Sequence, residues 1–333
     1  MFSYIIGIVL KLRSKEPVIA VVGHLVKDEI VSPNGEMKVS LGGTAYSIAA
    51  LEAIAEMGRI LPVCRVGRDI EPMIRAAFGH NQRLDLAAMK FTSKPNVVNR
   101  LVYGSDGARA EQNSAIAPPL ELDGIDRRID SVLLNFISGR DVKLRDLKAF
   151  RAEYRGLIYC DYHSLSLGHD RNLRRYYRLH PRYKEYIATA DMVQMNLAEL
   201  KSIYKIPIFD MSAVAKACCH LHETGVKVVI ITAGTNGVMV SESKTGRFYH
   251  IPAIHIRRQV DPTGCGDTLG AAFLYNYLRT ADLIGSLEIA NQFAAAKATF
   301  SGLEGFAGLG NIIRQIGPPV KAIALKNLDR TPA

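Results

Sequence analysis

The chain has 333 residues, and 42 lysines and arginines against 32 aspartates and glutamates give a formal net charge of +10. Because 48% of the residues are hydrophobic and only 22% are charged, the composition excludes global disorder and a fibrous architecture. No window approaches the roughly 20 consecutive apolar residues of a membrane-spanning helix, which excludes an integral membrane protein. The length fits one large domain or two of roughly 150 residues.

The first apolar run, residues 4–10, is short, and its positive charges follow it. A secretory signal has the opposite order, so we interpret the run as a leading helix or strand of a cytoplasmic protein. The five cysteines form an odd set without CxxC spacing, which is typical of reduced thiols. Cys218 and His222 are one helical turn apart, but zinc would need a second ligand pair, so core packing is favoured.

Short apolar runs alternate along the chain with segments of helical period. The predicted strands are residues 17–25, 60–66, 131–137, 156–160, 192–195 and 227–232. The predicted helices are residues 44–57, 70–78, 142–154, 211–224, 267–278 and 285–300. Apolar strands alternating with amphipathic helices are typical of a mostly parallel sheet flanked by helices on both faces. The predicted fold class is therefore α/β.

Two segments, residues 28–41 and 96–113, break this alternation. Each contains strand patterns with turn signals and no helix between them, and both are more polar than the core strands. They predict a small β-sheet beside the main body, with two ordinary surface hairpins as the alternative. Since no repeat or long linker is present, residues 1–333 are predicted to form one domain with this sheet inserted. Its exposed edges favour a homodimer.

A glycine-rich turn at residues 260–267 precedes an apolar helix and carries the chemistry. Such a turn exposes backbone N–H groups at the positive end of the helix dipole, which makes an anion site. Gly264 and Gly266 allow close approach of a ligand. Asp267 would repel a bound phosphate, so we expect it either to act as a general base or to cap the helix, and spacing does not decide. No Walker or GxGxxG motif is present.

Residues 261–267 (DPTGCGD) resemble the D-T-x-G-A-G-D signature of the ribokinase-like carbohydrate kinases, the PfkB family. Residues 41–43 (LGG) resemble the di-glycine motif of that family, and residues 195–199 (MNLAE) resemble its N-x-x-E motif. Residues 231–237 (ITAGTNG) resemble its T-x-G-x-x-G nucleotide loop. The four motifs occur in the family's order over nearly the whole chain. They imply a ribokinase-like fold in which the small sheet is a lid over the substrate.

The resemblance also implies a function. The chain would be an ATP-dependent kinase that transfers the γ-phosphoryl group to a hydroxyl of a sugar or nucleoside. Asp267 would be the general base, and the amides of Gly264, Cys265 and Gly266 would hold the charge of the transferring group. Residues implied at the nucleotide and its magnesium are Asn196, Glu199 (through water), Thr232, Gly234, Gly237 and Thr263. Residues implied at the acceptor are Asp28, Gly42, Gly43, Ser47 and Asp161.

Simpler interpretations of several of these residues stay open. Asn196 is a good helix cap, and residues 232–237 make a good strand–turn–strand hairpin. Asp161 and His163 are either acceptor contacts or a helix cap and a surface histidine. The family's activation by a monovalent cation such as K⁺ would act through carbonyls near Asp261.

Three positions depart from the family pattern: Pro262 stands where the family has Thr, Cys265 where it has Ala, and Ser47 where it often has Asn. A thiol at a helix N-terminus can have a lowered pKa, which would make Cys265 sensitive to oxidation. Because Ser47 replaces a residue expected to bind hydroxyls, the motifs do not choose among pentoses, hexoses and nucleosides.

The basic segment, residues 171–184, contains six lysines and arginines, no acid and three tyrosines. One interpretation is a solvated helix face with its tyrosines packed inward. The others are a site for an anionic small molecule or, less favoured, for nucleic acid. The rival function is a nucleotide- or nucleic-acid-binding protein on the same scaffold, without kinase activity. Asp267 favours the kinase, because a protein that only binds needs no base there.

Overall fold

The computed structural model describes residues 14–79, 82–105, 109–206 and 210–325. The apolar run at residues 4–10 lies outside the described residues, as does the tip of the 96–113 segment at residues 106–108. Among the described residues, no helix combines the length and the hydropathy needed to cross a bilayer.

The main body of the described chain is a nine-stranded sheet in the order β17-β16-β15-β14-β13-β10-β9-β1-β4. The six strands from β14 to β4 in this order are parallel to one another. The strands β15, β16 and β17 extend the sheet from β14, each antiparallel to the strand before it. The strands are β1 Val18–Val22, β4 Arg59–Val63, β9 Ser131–Asn135, β10 Leu157–Asp161, β13 Met192–Asn196, β14 Val228–Thr232, β15 Val238–Glu242, β16 Arg247–Ile251 and β17 Ile323–Leu325. Its central strands are runs of Val, Ile and Leu that are buried on both faces, as a parallel sheet requires.

Helices cover both faces of this sheet, and two separate hydrophobic clusters fill the space beneath them. The helices are α1 Ala45–Ile54, α2 Glu71–Phe78, α3 Leu144–Glu153, α4 Tyr183–Ile187, α5 Leu197–Ile203, α6 Met211–His222, α7 Cys265–Thr280, α8 Leu283–Lys297 and α9 Leu309–Ile316. Helices α1, α7 and α8 pack on one face, whereas α3 and α6 pack on the other. The prediction of a mostly parallel α/β sheet flanked by helices is confirmed.

A second, four-stranded sheet stands beside the main body in the order β3-β2-β7-β8. Its strands are β2 Leu25–Val31, β3 Met37–Gly43, β7 Val98–Tyr103 and β8 Arg109–Asn113. Two antiparallel pairs, β2 with β3 and β7 with β8, are joined by the parallel pairing of β2 with β7. The segments at 28–41 and 96–113 thus form one small sheet, as the polar strand patterns predicted.

Two short pairs complete the strands. The predicted strand 60–66 divides at Cys64, and β5 Arg65–Gly67 leaves the large sheet to pair with β6 Lys90–Thr92. Strand β11 Leu167–His169 pairs with β12 Arg175–Tyr177.

The solvated-helix interpretation of the basic segment is wrong. Residues 171–184 contain a turn, strand β12 and only the first residues of α4. Tyr176 and Tyr177 are half exposed rather than packed inward. The loop before β12 joins the edge of the small sheet, where the amide of Asn113 donates to the carbonyl of Leu173 at 3.1 Å.

Cys218 packs in the core, as the sequence indicated, whereas its neighbour Cys219 is exposed. All five cysteines lie in the described residues as free thiols. Cys218 is fully buried in the hydrophobic cluster beneath α6. The His222 ring instead lies 2.8 Å from the Val226 carbonyl and 2.9 Å from the Ser241 hydroxyl, so both its nitrogens are engaged.

Candidate active site

A cavity of ≈ 190 Å³ lies where the large sheet meets the small one. Strands β10, β13 and β14 contribute residues at their carboxyl ends, and the first turn of α7 forms part of the wall. In open α/β sheets, ligands bind outside the carboxyl ends of the strands, so this is the expected position of a site. The predicted site residues that line it are Asp28, Gly43, Asp161, Asn196, Glu199, Thr232, Thr263, Gly264, Gly266 and Asp267. Those that do not are Gly42, Ser47, Gly234, Gly237 and Cys265.

The candidate anion loop, residues 264–266, begins at Gly264, the N-cap of α7, which has the left-handed φ of +81° and makes no side-chain cap. A Cβ at this position would lie 2.3 Å from the Cδ1 atom of Tyr46, so only glycine fits between the loop and the ring. The amide of Cys265 already donates to the carbonyl of Pro262 at 3.2 Å. Gly266, one residue further into the first turn, lines the cavity at the positive end of a 16-residue helix.

Asp267 is the third residue of α7, inside the helix rather than at its cap. Burial raises the pKa of this carboxyl above its usual value, while the charge of His163 and the hydrogen bond from Asn135 act in the opposite direction. Burial with a raised pKa makes Asp267 a stronger proton acceptor than an exposed aspartate.

Two side chains hold the Asp267 carboxylate in place. Asn135, the last residue of β9, donates from Nδ2 to Asp267 Oδ1 at 2.7 Å. The Ser47 hydroxyl approaches the same oxygen at 3.4 Å and accepts from Asn135 at 3.1 Å. Ser47 therefore lies behind the carboxylate and not in the cavity wall, where an acceptor-binding residue would lie.

A second polar cluster stands at the ends of β10 and β13. Asn196 caps α5 in a capping box with Glu199: the Glu199 amide donates to Asn196 Oδ1 at 2.9 Å, and the Asn196 amide donates to Glu199 Oε2 at 2.8 Å. The His163 Nδ1 atom lies 3.1 Å from Glu199 Oε1. The cap interpretation of Asn196 is thus confirmed, and both residues also line the cavity.

The electrostatics of this cluster follow from its burial. Burial lowers the pKa of His163, but the hydrogen bond and charge of Glu199 outweigh it and raise the pKa to about 9, so the imidazole is cationic at neutral pH. Burial and then the charge of Asp267 raise the pKa of Asp161 well above its usual value. His163 is a partly exposed histidine of the cavity wall, and it places a positive charge among carboxylates.

The inner face of the small sheet forms the opposite wall. Asp28 is buried and accepts from Asn99 Nδ2 at 3.3 Å. A Cβ on Gly42 would lie 1.9 Å from Asp28 Oδ2, so glycine is needed there to leave room for the carboxylate. Gly43 has a φ of +61°, and a Cβ there would lie 2.3 Å from the carbonyl oxygen of His24.

The 232–237 turn links β14 to β15, an antiparallel pair, so the hairpin interpretation is confirmed. Thr232 lines the cavity, and Gly234 follows it with a φ of +56° and open space around the position of a Cβ. Gly237 has a φ of +84° and lies against the carbonyl of Ile251. The exposed turn leaves room for a flat group beside Thr232 at the cavity.

Cys265 differs from the sequence expectation. Burial raises the pKa of its thiol to about 12, although Lys297 lowers it. A thiol that stays protonated at neutral pH reacts slowly, so the expected low pKa at the helix N-terminus is wrong.

Sequence reasoning missed several residues in the cavity wall and behind it. Asn135 behind the wall and Gln194 in it carried a signal, because each is a polar residue next to apolar residues of a buried strand. Gln194 donates to the carbonyl of Gly266 at 3.0 Å and accepts from the Tyr159 hydroxyl at 2.6 Å, so it ties the anion loop to the sheet. Glu111 and Arg175 carried none, because polar residues are ordinary in the segments that contain them.

Known structures share this fold. Ribokinase from Giardia lamblia superposes with a TM-score of 0.72 at 15% identity, covering 90% of this chain and 99% of that one. A pyrophosphate-dependent kinase in the ribokinase family superposes with a TM-score of 0.71 at 19% identity, covering 85% of this chain and 96% of that one. The chain therefore has a ribokinase-like α/β fold.

Sequence comparison points to a family. Residues 162–305 match the family model described as pfkB family carbohydrate kinase. The chain is also 25% identical over 269 residues to a cytidine kinase of Thermococcus kodakarensis, an alignment that spans 78% of this chain and 88% of the other. The second half of the chain is therefore similar to the pfkB family carbohydrate kinases, and the alignment with the cytidine kinase extends the similarity over most of its length.

Proposed function

We propose that this chain is an ATP-dependent kinase that phosphorylates a hydroxyl group of a sugar or nucleoside. The observation that carries the proposal is the partly buried carboxylate of Asp267 in the first turn of α7, which Asn135 of β9 holds by a hydrogen bond and which lines the same cavity as Gly266. A base beside an anion site is what phosphoryl transfer to a hydroxyl requires.

The acceptor binds against the small sheet. Asp28 and Asn99 offer an acceptor and a donor to its hydroxyls, and Gly43 brings the backbone close to it. Asp161 lies on the other side of the same cavity and can accept from a further hydroxyl. The small sheet acts as a lid that excludes water, so that the acceptor rather than water receives the phosphoryl group.

The donor binds at the ends of β13 and β14. Thr232 and Thr263 flank the phosphates of the nucleotide, and its adenine ring lies on the turn at Gly234 and Gly237. Pyrophosphate is the alternative donor, since a kinase of similar fold uses it. Both donors present a terminal phosphoryl group to Gly266.

Magnesium would arrive with the donor. Among the described residues there is no cluster of three or more histidine, cysteine, aspartate or glutamate side chains that could hold a metal ion. This fits magnesium, which keeps several waters and binds mainly through substrate phosphates. Asn196 and Glu199 would hold those waters, and the ion would neutralise the charge of the phosphates.

A monovalent cation near Asp261 fits less well. The amide of Asp261 bonds the carbonyl of Ala298 at 3.2 Å, and Ser301 bonds its carboxylate at 3.1 Å. The buried ammonium of Lys297 already donates to the carbonyl of Phe300 at 3.0 Å. The proposed mechanism therefore does not include K⁺.

In the transfer step, Asp267 takes the proton of the acceptor hydroxyl while that oxygen forms a bond to the terminal phosphorus of the donor. The bond between this phosphorus and the bridging oxygen breaks, and the leaving phosphate keeps the electron pair. The Gly266 amide and the α7 dipole stabilise charge on the transferring group.

The test is Asp267→Asn, which keeps the shape and removes the base. Turnover should fall about 10²- to 10⁴-fold with little change in the KM of either substrate. Asp282→Asn is the matched control, because Asp282 caps α8 and does not line the cavity. Unchanged turnover, or a loss confined to acceptor binding, would overturn the assignment. Nucleotide binding without transfer to any acceptor would favour the binding-only function instead.

A further inference from the structure

One cation of the basic segment, Arg175, lies in the cavity wall. Arg175, the first residue of β12, lines the cavity, and its side chain is only 4% exposed. Its Nη1 atom lies 3.5 Å from Oε2 of Glu111 on β8, whose side chain is 11% exposed. A nearly buried ion pair is weak evidence for stability, because desolvation of two charges opposes their attraction. The position of the ion pair in the cavity wall indicates that it contacts a ligand.

The strand register explains how the pair is formed. Gln112 bridges to Arg174 in antiparallel fashion, which places Glu111 directly opposite Arg175. Leu101 pairs with Glu111 on the other side, in β7. Leu101, Glu111 and Arg175 therefore form one row across the inner face of the sheet, and all three line the cavity.

A second row runs parallel to it. Asp28 pairs with Asn99, and Asn99 pairs with Asn113, which donates to Asn99 Oδ1 at 3.3 Å. Two residues along a strand span about 6.6 Å, so the two rows are offset by that distance. The row at Asp28 is wholly polar, whereas the row at Arg175 begins with an apolar side chain. A ligand with two different parts would match the two rows: a ring with several hydroxyls would bind at the polar row, and a flat ring would bind at the row with the apolar side chain.

We propose that Glu111 and Arg175 determine the acceptor, and that the acceptor is a nucleoside. The ribose hydroxyls lie on the row of Asp28 and Asn99, one face of the base lies on Leu101, and its polar edge meets the ion pair. The planar guanidinium donates to a ring nitrogen or carbonyl of the base, and the carboxylate accepts from an amino or ring N–H. This assignment rests on the proposed kinase function and names its substrate class.

The charge of the cavity excludes another class of acceptor. Among the described residues, its wall carries five carboxylates, against one guanidinium and one imidazole. Because Arg175 is already paired with Glu111, the second phosphate of a sugar phosphate meets no unopposed guanidinium in this described wall. Free sugars lack the flat apolar face that Leu101 accommodates, so they would bind only to the row at Asp28.

The experiment compares wild type with Arg175→Gln and Glu111→Gln, using nucleosides, free pentoses and hexoses, and sugar phosphates as acceptors. Arg174→Gln is the matched control, since Arg174 is the exposed neighbour in the same segment. For the best nucleoside, Arg175→Gln should raise KM at least about 100-fold and weaken binding without a donor equally, as when a polar group built to hold the substrate is lost. The KM for the donor and the behaviour of Arg174→Gln should stay unchanged. Glu111→Gln should change the ratio of the KM values for nucleosides whose base has an amino group on the bound edge and for those whose base lacks one.

Each outcome separates the two claims. Phosphorylation of no acceptor contradicts the kinase function itself. A preferred free sugar or sugar phosphate, or a nucleoside KM that Arg175→Gln leaves unchanged, keeps the kinase and overturns the nucleoside assignment. If Arg175→Gln does not fold, Arg175→Lys keeps the charge but loses the planar fork, and it should still raise the nucleoside KM.

Discussion

Gly264→Ala tests whether the contact between the anion loop and Tyr46 positions the catalytic turn. Gly264 has a φ of +81°, and a new Cβ would lie 2.3 Å from Tyr46 Cδ1 and 2.5 Å from Cγ. The ring is only 2% exposed and belongs to the cluster beneath α1 and α7, so it has little room to move away. Either the ring or the loop must shift.

Two costs add at this position. A residue with a Cβ in the left-handed region costs about 1–2 kcal/mol. Carbon atoms in contact are normally about 3.5–4.0 Å apart, so relieving the overlap needs a shift of roughly 1.2 Å or more, and overpacking of this kind costs about 1–3 kcal/mol. The free energy of unfolding should therefore fall by about 2–5 kcal/mol. A displacement of about 1 Å in the loop should lower turnover about 10²-fold.

Gly225→Ala is the control, because Gly225 has a φ of +99° with nothing within 4 Å of the new Cβ. It should lose only the conformational part, about 1–2 kcal/mol, and keep full turnover. Denaturant unfolding and steady-state kinetics of both variants provide the measurement. Equal losses of stability with unchanged turnover in Gly264→Ala would refute the argument that Tyr46 positions the loop.

Two further predictions concern buried cations. His24 Nδ1 lies 2.6 Å from Asp141 and its Nε2 lies 3.0 Å from a carbonyl oxygen, both acceptors, so the imidazolium fits best. Burial opposes this charge, but Asp141 raises the pKa of His24 above 6.5. The pair's contribution is thus complete below about pH 6.5 and is lost as the pH rises through the folded-state pKa. The stability gap between wild type and His24→Gln should narrow from pH 6.5 upward in thermal unfolding; a constant gap would contradict it. Replacing potassium by choline should leave wild-type turnover unchanged, because Lys297 already supplies a cation. Lys297→Ala should lose activity and regain it with added potassium or ammonium. Dependence of the wild-type turnover on potassium would contradict this prediction.

The parallel sheet and its helices could be predicted because buried parallel strands need continuous apolar runs, which residues 131–135 and 228–232 show directly. The break at Cys64 could not be predicted, because β5 leaves the sheet only to pair with β6, a partner 25 residues further along the chain. Pairing partners at such a distance leave no mark on local periodicity.

The site shows the same division. Gly264 could be placed from the sequence because a tight turn that opens a helix restricts which residues fit, whereas Asp267 was singled out by the resemblance of its motif. The inward turn of Arg175 could not, because six cations of one segment look alike until the register at Gln112 and Arg174 decides which one faces the cavity. Which cation of such a basic segment becomes buried depends on strand pairing in the folded protein and not on the local sequence.

The distribution of charge across the cavity separates its two halves. On the acceptor side, Glu111 is paired with Arg175, and Asp28 accepts from Asn99, so a neutral ligand meets charges that are already compensated. In the rest of the described wall, His163 is the cation that faces Asp161, Glu199 and Asp267, and it leaves an excess of negative charge. Under the proposed function, a polyphosphate donor would therefore bring a cation of its own to Asn196 and Glu199. Burial raises the pKa of Asp267 and the charge of His163 opposes that rise, so removal of the His163 charge should raise the pKa of Asp267 further.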